Sequence, residues 1–467
     1  MKSRPATSRT RISSARTAAF DILLRVERES SYASELLHSP ASNQLSSADH
    51  ALCTELVMGV LRWRSVLDSR IACHSAHALS KLDLEVLISL RMAAYQLGWL
   101  DRVPPRAAIH ESVELVKRAH KASAAAFANA VLRKIADAHV ANSRAPMEGG
   151  SVETLAAETA HPRWMVERWI HAYGIDATRK ICAHDQSIPD TTVRLRGERA
   201  EMILQDEGIE LAPGAWLASA RRILRGDVSR TTAFRQGLCV IQDEASQLVA
   251  ALVGRGARML DCCAAPGGKT LAIADRNPHA RITAVELHPH RARLLKKLMS
   301  QGKENTGSSA MIRYIAADAR KLPLAEEFDR VLVDVPCTGT GTLARNPEIK
   351  WRIKQADFDD LQSRQIAILQ AALARVSSGG RVIYSTCSLE KEENEDVIEH
   401  VLPANPAFHL VDCDRELERL KREEQLVWNG GAAITRGPFL RTIPGVHPCD
   451  GFFAAILEKN QVDRETA

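Results

Sequence analysis

The thirteen residues from Arg258 to Thr270 constrain this chain more than any other stretch. Met259 and Leu260 end an apolar run and Asp261 follows. Next comes a loop of small residues: Cys262, Cys263, Ala264, Ala265, Pro266, Gly267 and Gly268. Lys269 leads into a helix expected to open at Thr270. A strand passing through a glycine-rich turn into a helix is the ligand-facing end of a doubly wound α/β sheet. The glycines matter because a Cβ would hold the backbone away from a ligand. Two common uses of such a turn are excluded. A phosphate-binding P-loop needs glycine five positions before Gly268, and that position is Cys263. The dinucleotide pattern G-x-G-x-x-G is also missing. A turn that merely joins strand to helix is the alternative at this point.

With 467 residues and domains of roughly 100–200 residues, about three domains are expected. No apolar run approaches the roughly 20 residues of a membrane span, so no membrane partner is expected. The ten cysteines include no C-x-x-C pair, and no metal site is expected. Without a secretory apolar segment they read as reduced thiols in a cytoplasm. Charge is uneven: residues 1–145 hold 20 Lys/Arg against 13 Asp/Glu, in a chain whose net charge is +5. A basic N-terminal portion points to a polyanionic partner. Lys2, Arg4, Arg9, Arg11 and Arg16 stand among the first twenty residues with no acid. We read residues 1–15 as a disordered basic arm of a bacterial protein, with a mitochondrial transit peptide as the alternative.

Residues 17–140 read as helices, with apolar positions at three- and four-residue spacing in 17–26, 48–62, 83–97, 109–119 and 124–136. Val103-Pro104-Pro105 separates two of them. Residues 138–152, rich in Ala, Ser, Pro and Gly, read as a linker. A second unit over 153–235 carries a strand candidate at 192–195 between helices. Asp243 is a plausible N-cap for the helix after it. From Ala257 onward, strand candidates at 258–260, 281–285, 311–315, 330–333 and 381–384 alternate with helical stretches, as in a parallel sheet. Residues 408–412 and 451–457 would add two last strands.

The strand ends carry the chemistry, because in a doubly wound sheet the ligand sits outside the carboxyl ends of the strands. Glu286 closes the second strand, Asp318 follows the third and Asp334 ends the fourth. Two cysteines follow the fourth and fifth strands: Cys337 in Asp334-Val335-Pro336-Cys337-Thr338-Gly339, and Cys387 in Tyr384-Ser385-Thr386-Cys387-Ser388. A lone cysteine after a strand is usually a small buried hydrophobe. Two at adjacent strand ends can meet in one pocket.

These phrases, with the loop from Cys263 to Lys269, resemble the Sun/Fmu family of RNA cytosine-C5 methyltransferases. Three more phrases are similar to the NusB-type helical RNA-binding domain that precedes the catalytic part in its ribosomal RNA small subunit methyltransferase B subgroup. They are Glu55–Trp63 (ELVMGVLRW), Ala94-Tyr95-Gln96-Leu97 and Phe127–Lys134 (FANAVLRK). The usual Ser of the first cysteine phrase is Thr338 here, which keeps the hydroxyl. The Asn-rich turn usual in the middle domain is replaced by Asp185-Gln186-Ser187-Ile188-Pro189-Asp190.

The resemblance implies a NusB-like all-α domain over 1–140, a small α/β connector over 153–235 and a Rossmann-like methyltransferase domain over 236–467. It implies S-adenosyl-L-methionine as cofactor, held by Cys263, Ala264, Ala265, Pro266, Gly267, Gly268, Lys269, Glu286, Asp318 and Asp334. Glu286 would accept the ribose hydroxyls and Asp318 the adenine amino group. The implied reaction is methylation at carbon 5 of a cytosine in 16S ribosomal RNA, by a monomer. Carbon 5 needs a thiolate added at carbon 6 before it becomes nucleophilic. By resemblance Cys387 is that nucleophile and Cys337 assists release; Asp334 is the candidate for stabilising N3. Arg62, Arg64, Lys117, Arg118, Arg133 and Lys134 are candidates for phosphate contacts. A transfer RNA cytosine is the nearest alternative substrate. A nicotinamide-dependent oxidoreductase and a non-catalytic RNA-binding assembly factor are the rivals from other classes. The segments Arg345–Trp351 (RNPEIKW) and Glu392-Glu393-Asn394-Glu395 also match family phrases. Neither is assigned a catalytic role; the second is expected to cap a helix.

Overall fold

A computed structural model describes residues 12–141, 151–300, 309–427 and 433–461. The arm expected over 1–15 lies outside the described residues as far as Arg11, and a helix already opens at Ser14. The chain divides into two compact units. Met1–Ile188 and Leu343–Arg352 form a helical unit, and Pro189–Thr342 and Ile353–Ala467 form a sheet unit. The segment expected as a connector is therefore shared between them.

In the helical unit, helices run over Ser14–Glu29, Ser47–Arg62, Arg64–His74, Leu84–Trp99, Pro105–Arg118 and Ala125–Ala141. Arg64–His74 was not expected. Ser46 caps its helix by accepting from Asp49 N. Pro105 takes the first helical position, where its missing N–H costs nothing. Phe20, Leu23, Leu56, Leu61, Leu67, Ile71, Leu90 and Leu132 are buried in one core. Gly59 is required, because a Cβ there would occupy the Tyr95 ring. Helices Ala33–Leu37, Val152–Glu158, Arg163–Tyr173, Ile175–Asp185 and Ile349–Arg352 also belong to the unit.

Leu343–Arg352 is clamped into this unit by backbone carbonyls. Arg352 Nη2 donates to Val26 O (2.7 Å) and Ser31 O (2.6 Å), and Trp351 Nε1 to Leu61 O (2.6 Å). Ala33 N donates to Glu348 Oε1 (2.9 Å). Arg62, expected as an exposed phosphate contact, is 5% exposed and gives Nη2 to Ala344 O (2.9 Å). Arg64 is half-buried against Glu27 (2.9 Å). Arg133 and Lys134 remain exposed on Ala125–Ala141.

The sheet unit holds two sheets. The smaller is antiparallel, in the order β2-β3-β1-β4: β1 Thr192–Leu195, as expected, with β2 Glu210–Pro213, β3 Ala220–Arg225 and β4 Cys239–Ile241, which were not. In the larger, β5 Arg258–Asp261, β6 Arg281–Glu286, β7 Met311–Ala316, β8 Phe328–Asp334 and β9 Val376–Thr386 are parallel, in the order β7-β6-β5-β8-β9. β13 (Phe453–Lys459) adds antiparallel beside β9. Its far edge is shared by β12 (Phe439–Arg441) and β10 (Phe408–Val411), and β11 (Thr435–Arg436) pairs β12. The order reverses between β5 and β8, and a doubly wound sheet opens its ligand crevice at such a reversal. Asp243 is the expected N-cap of Glu244–Leu252, accepting from Ala245 N (2.9 Å). No helix among the described residues is long and apolar enough to cross a membrane.

Candidate active site

The loop after β5 sits at the reversal and is pinned on both sides. Cys262 N donates to Leu332 O of β8 (3.0 Å) and Ala264 N to Val285 O of β6 (2.9 Å). Gly267 has φ +117°, and a Cβ there would come within 2.6 Å of Leu295 Cδ1. Only glycine therefore lets the loop turn this tightly against Leu295 before the following helix, Gly268–Arg276. Asp261 is buried beneath the loop and accepts from Thr270 Oγ1 (2.7 Å). Burial pushes its carboxyl up to about 7, against that bond. Cys263 is half-buried, and burial holds its thiol well above the ordinary range.

On the β6–β7 side stand the two carboxylates expected to face a ribose and an adenine. Glu286 ends β6, is 5% exposed, and accepts from His288 N (3.1 Å). Asp318 lies two residues past β7. It accepts from Arg320 N (2.9 Å) and from the Arg320 guanidinium, which together hold its carboxyl below the usual range. A ligand amino group would share Asp318 with Arg320.

On the other side, the ends of β8 and β9 bring four groups together. Asp334 Oδ2 accepts from Lys269 Nζ (2.8 Å) and its Oδ1 from Ser385 Oγ (2.7 Å). Although burial works against the Lys269 ammonium, the charge of Asp334, their hydrogen bond and the charge of Cys387 raise its pKa. Cys337 and Cys387 face each other with sulfurs 3.3 Å apart. The hydrogen bond to Cys387, burial and the charges of Cys387 and Glu393 hold the Cys337 thiol well above its ordinary range. Backbone bonds fix the two loops to each other: Val335 N to Ser385 O (3.0 Å) and Gly341 N to Cys387 O (2.9 Å). Gly341 also allows a close approach, since a Cβ there would collide with the Gly451 backbone.

Lys269, expected only around the cofactor, thus joins Asp334 and the thiols, a pairing invisible at a separation of 65 residues. Glu393, expected in a helix cap, turns inward instead. It is 0% exposed and accepts from Thr338 N (2.9 Å), Thr338 Oγ1 and Gln365 Nε2 (3.0 Å). The repeated acids at 390–395 gave no sign of which would be buried, since the helix Glu395–Val401 takes its acidic turn from Glu395 and Asp396.

Comparison with known proteins gives a consistent picture. Residues 252–458 match the model of the 16S rRNA methyltransferase RsmB/F, residues 13–137 that of the NusB family, and residues 161–228 that of the RsmF/B-like ferredoxin-like domain. The chain is 35% identical over 459 residues to the probable ribosomal RNA small subunit methyltransferase B of Bacillus subtilis (strain 168), covering 96% of this chain and 99% of that protein. A protein of the same description from Synechocystis sp. is 30% identical, covering 96% and 99% respectively. Among solved structures, PH0851 aligns with a TM-score of 0.77 at 24% identity, over 95% of this chain and 98% of that one.

Proposed function

The chain belongs to the RsmB/F (Sun/Fmu) family of RNA methyltransferases with a NusB domain, and from that premise we propose that it methylates carbon 5 of a cytosine in 16S ribosomal RNA through a covalent cysteine adduct. The observation that carries this reading is the pair of thiols 3.3 Å apart beside the Asp334–Lys269 ion pair. The division into 1–140, 153–235 and 236–467 belongs to the same reading. It is supported by matches at 13–137, 161–228 and 252–458.

The loop after β5 fits S-adenosylmethionine. Its glycine turn lies at the reversal of strand order and opens the helix Gly268–Arg276, and a buried carboxylate, Glu286, stands at the next strand end. Residues Cys263 to Lys269 would hold the ligand, with Glu286 at the ribose hydroxyls, Asp318 at the adenine amino group and Asp334 bordering the methyl end. Bound there, it supplies an electrophilic methyl group.

The remaining chemistry falls to the chain. The target base is taken out of its stack into the pocket. The Cys387 thiolate adds to carbon 6, and the C5=C6 electron pair moves through C4 towards N3. Lys269, hydrogen-bonded to Asp334, supplies the proton with which Asp334 donates to N3. After transfer to carbon 5, the proton at N3 returns through Asp334 to Lys269, and the proton on carbon 5 passes to water. The electron pair of that C–H bond re-forms C5=C6 as the C6–S bond breaks, returning the Cys387 thiolate. Cys337 assists that release. Arg133, Lys134, Lys117 and Arg118 offer phosphate contacts; the Arg118 guanidinium is shared with Asp21 (2.8 Å).

Incubation of the purified chain with S-adenosylmethionine and unmodified 16S rRNA or tRNA, followed by bisulfite sequencing, tests the reading. One 5-methylcytosine in 16S rRNA is expected. Modification confined to tRNA moves the substrate, and ligand binding without any methylation leaves a non-catalytic RNA-binding factor.

A further inference from the structure

The two thiols are held by a part of the chain that the mechanism does not use. Cys337 lies between Pro336 and Thr338, and both neighbours are fixed from one place. Gln365 Nε2 donates to Pro336 O (3.0 Å) and to Glu393 Oε1 (3.0 Å), while Glu393 accepts both the backbone N–H (2.9 Å) and the hydroxyl of Thr338. Cys387 lies between Thr386 and Ser388, and these are fixed by the next residue. Asn394 Oδ1 accepts from Thr386 Oγ1 (2.5 Å) and Asn394 Nδ2 donates to Ser388 O (2.9 Å). The halves are joined where the hydroxyls of Thr338 and Ser388 meet (3.1 Å). Tyr384 OH donates to Glu393 O (2.6 Å) and locks the turn itself. Glu393 and Asn394 are both 0% exposed, and Thr338, Ser388 and Gln365 are buried with them.

We propose that the adjacent pair Glu393–Asn394 is the positioning element for the two cysteines, Glu393 for Cys337 and Asn394 for Cys387, and that the Glu393 charge makes the thiols unequal. The inference rests on the two-cysteine reading above and deepens it. The charges are distributed to suit. Glu393 accepts from neutral donors: an amide N–H, a hydroxyl and a carboxamide. Its negative charge therefore reaches Cys337 and opposes loss of that thiol's proton, together with the Cys387 bond and burial. On the other side the Lys269 ammonium bears on Cys387. Cys337 is thus kept as the S–H partner, which leaves the nucleophile's role to Cys387. A carboxylate buried with a full set of donors is costly to disturb, which makes the loop geometry rigid.

Multiple-turnover methylation of 16S rRNA by the full chain, whose rate includes release of the product, tests this. Glu393→Gln keeps the shape but removes the charge. It is expected to lower the rate at saturating substrate by up to roughly a hundredfold, as misplacement of reacting groups does. S-adenosylmethionine affinity should stay unchanged, because the loop after β5 is untouched. The alkaline limb of the pH–rate profile is expected to move to lower pH, because Cys337 then ionises more easily; a purely structural defect would lower the rate without moving that limb. Thr338→Val should slow the reaction and Thr338→Ser should not, which reads the Glu393 contact even if Glu393→Gln folds poorly. A wild-type rate and pH profile in Glu393→Gln, or a wild-type rate in Thr338→Val, overturns the proposal. A wild-type enzyme that makes no 5-methylcytosine overturns the two-cysteine reading instead.

Discussion

Glu393 and Lys350 are both ionisable side chains buried to 0–1% exposure, and their surroundings treat them in opposite ways. Glu393, in the sheet unit, meets three donors and lies beside the thiols. Lys350, in the helical unit, finds no hydrogen-bond acceptor for its Nζ among the described residues, and sits among Asp185, Cys182, Arg62 and His161. Burial pushes its ammonium down to about 7. A satisfied buried charge can hold geometry, because each bond it loses leaves a donor stranded. An unsatisfied one adds a pH-dependent load to the segment that carries it. The sheet unit therefore has the stiff groups that the proposed covalent chemistry would need. The helical unit holds Leu343–Arg352, only six residues past Cys337, in a seat whose stability depends on protons.

The largest effect expected within this contrast concerns the thiols. Cys387→Ala should give no methyl transfer and no RNA adduct, whereas Cys337→Ala should methylate and then stall as a protein–RNA adduct on denaturing gels. A persistent adduct from Cys387→Ala and none from Cys337→Ala would reverse the assignment. Activity retained in both without any adduct would remove covalent chemistry from the sheet unit altogether. Next in size, Glu286→Ala and Asp318→Ala should each weaken S-adenosylmethionine binding by a factor of roughly ten to a hundred. Calorimetry finding wild-type affinity in both would remove the ends of β6 and β7 from the cofactor site.

The helical unit carries the smaller effects. Folded Lys350 titrates near 7 and an unfolded lysine near about 10.4. Between these values the unfolded chain binds more protons, so stability rises with pH; below 7 both states are protonated and the contribution is flat. The rise is at most about 1.4 kcal/mol per pH unit, and it should disappear in Lys350→Met. Urea melts at pH 7 and 9 giving the same increment in both proteins would show that Lys350 is not the strained group. Smallest of all, joint replacement of Arg133 and Lys134 by Ala should lower the salt dependence of RNA binding by roughly one to two units of slope. An unchanged slope would take phosphate contact away from that helix face.

Local pattern was enough for much of this protein. Apolar spacing in 17–136 marked the main helices of the first unit, and β-branched runs marked the parallel strands from Arg258 to Thr386. The glycine-rich loop was legible because a tight turn demands particular residues at short spacing, and the cysteine phrases because they follow adjacent strands, where the structure brings the two thiols together. The strands β2, β3, β4, β11 and β12 escaped notice because they are short, and their pairing is made by distant partners.

Which side chains meet across long separations was left to the tertiary structure. Lys269 reaches Asp334, Arg62 turns from a presumed surface cation into a buried donor to Ala344, and Leu343–Arg352 packs with helices some three hundred residues earlier. Nor could the four acids within 390–395 be told apart by composition. Glu390 and Glu393 are both buried, and Glu393 is the one set beside the thiols because Tyr384 holds its backbone and Thr338 and Gln365 supply its donors. Spacing along a helix or strand sets which face a residue occupies, but the partner across the core is chosen only when that face is packed.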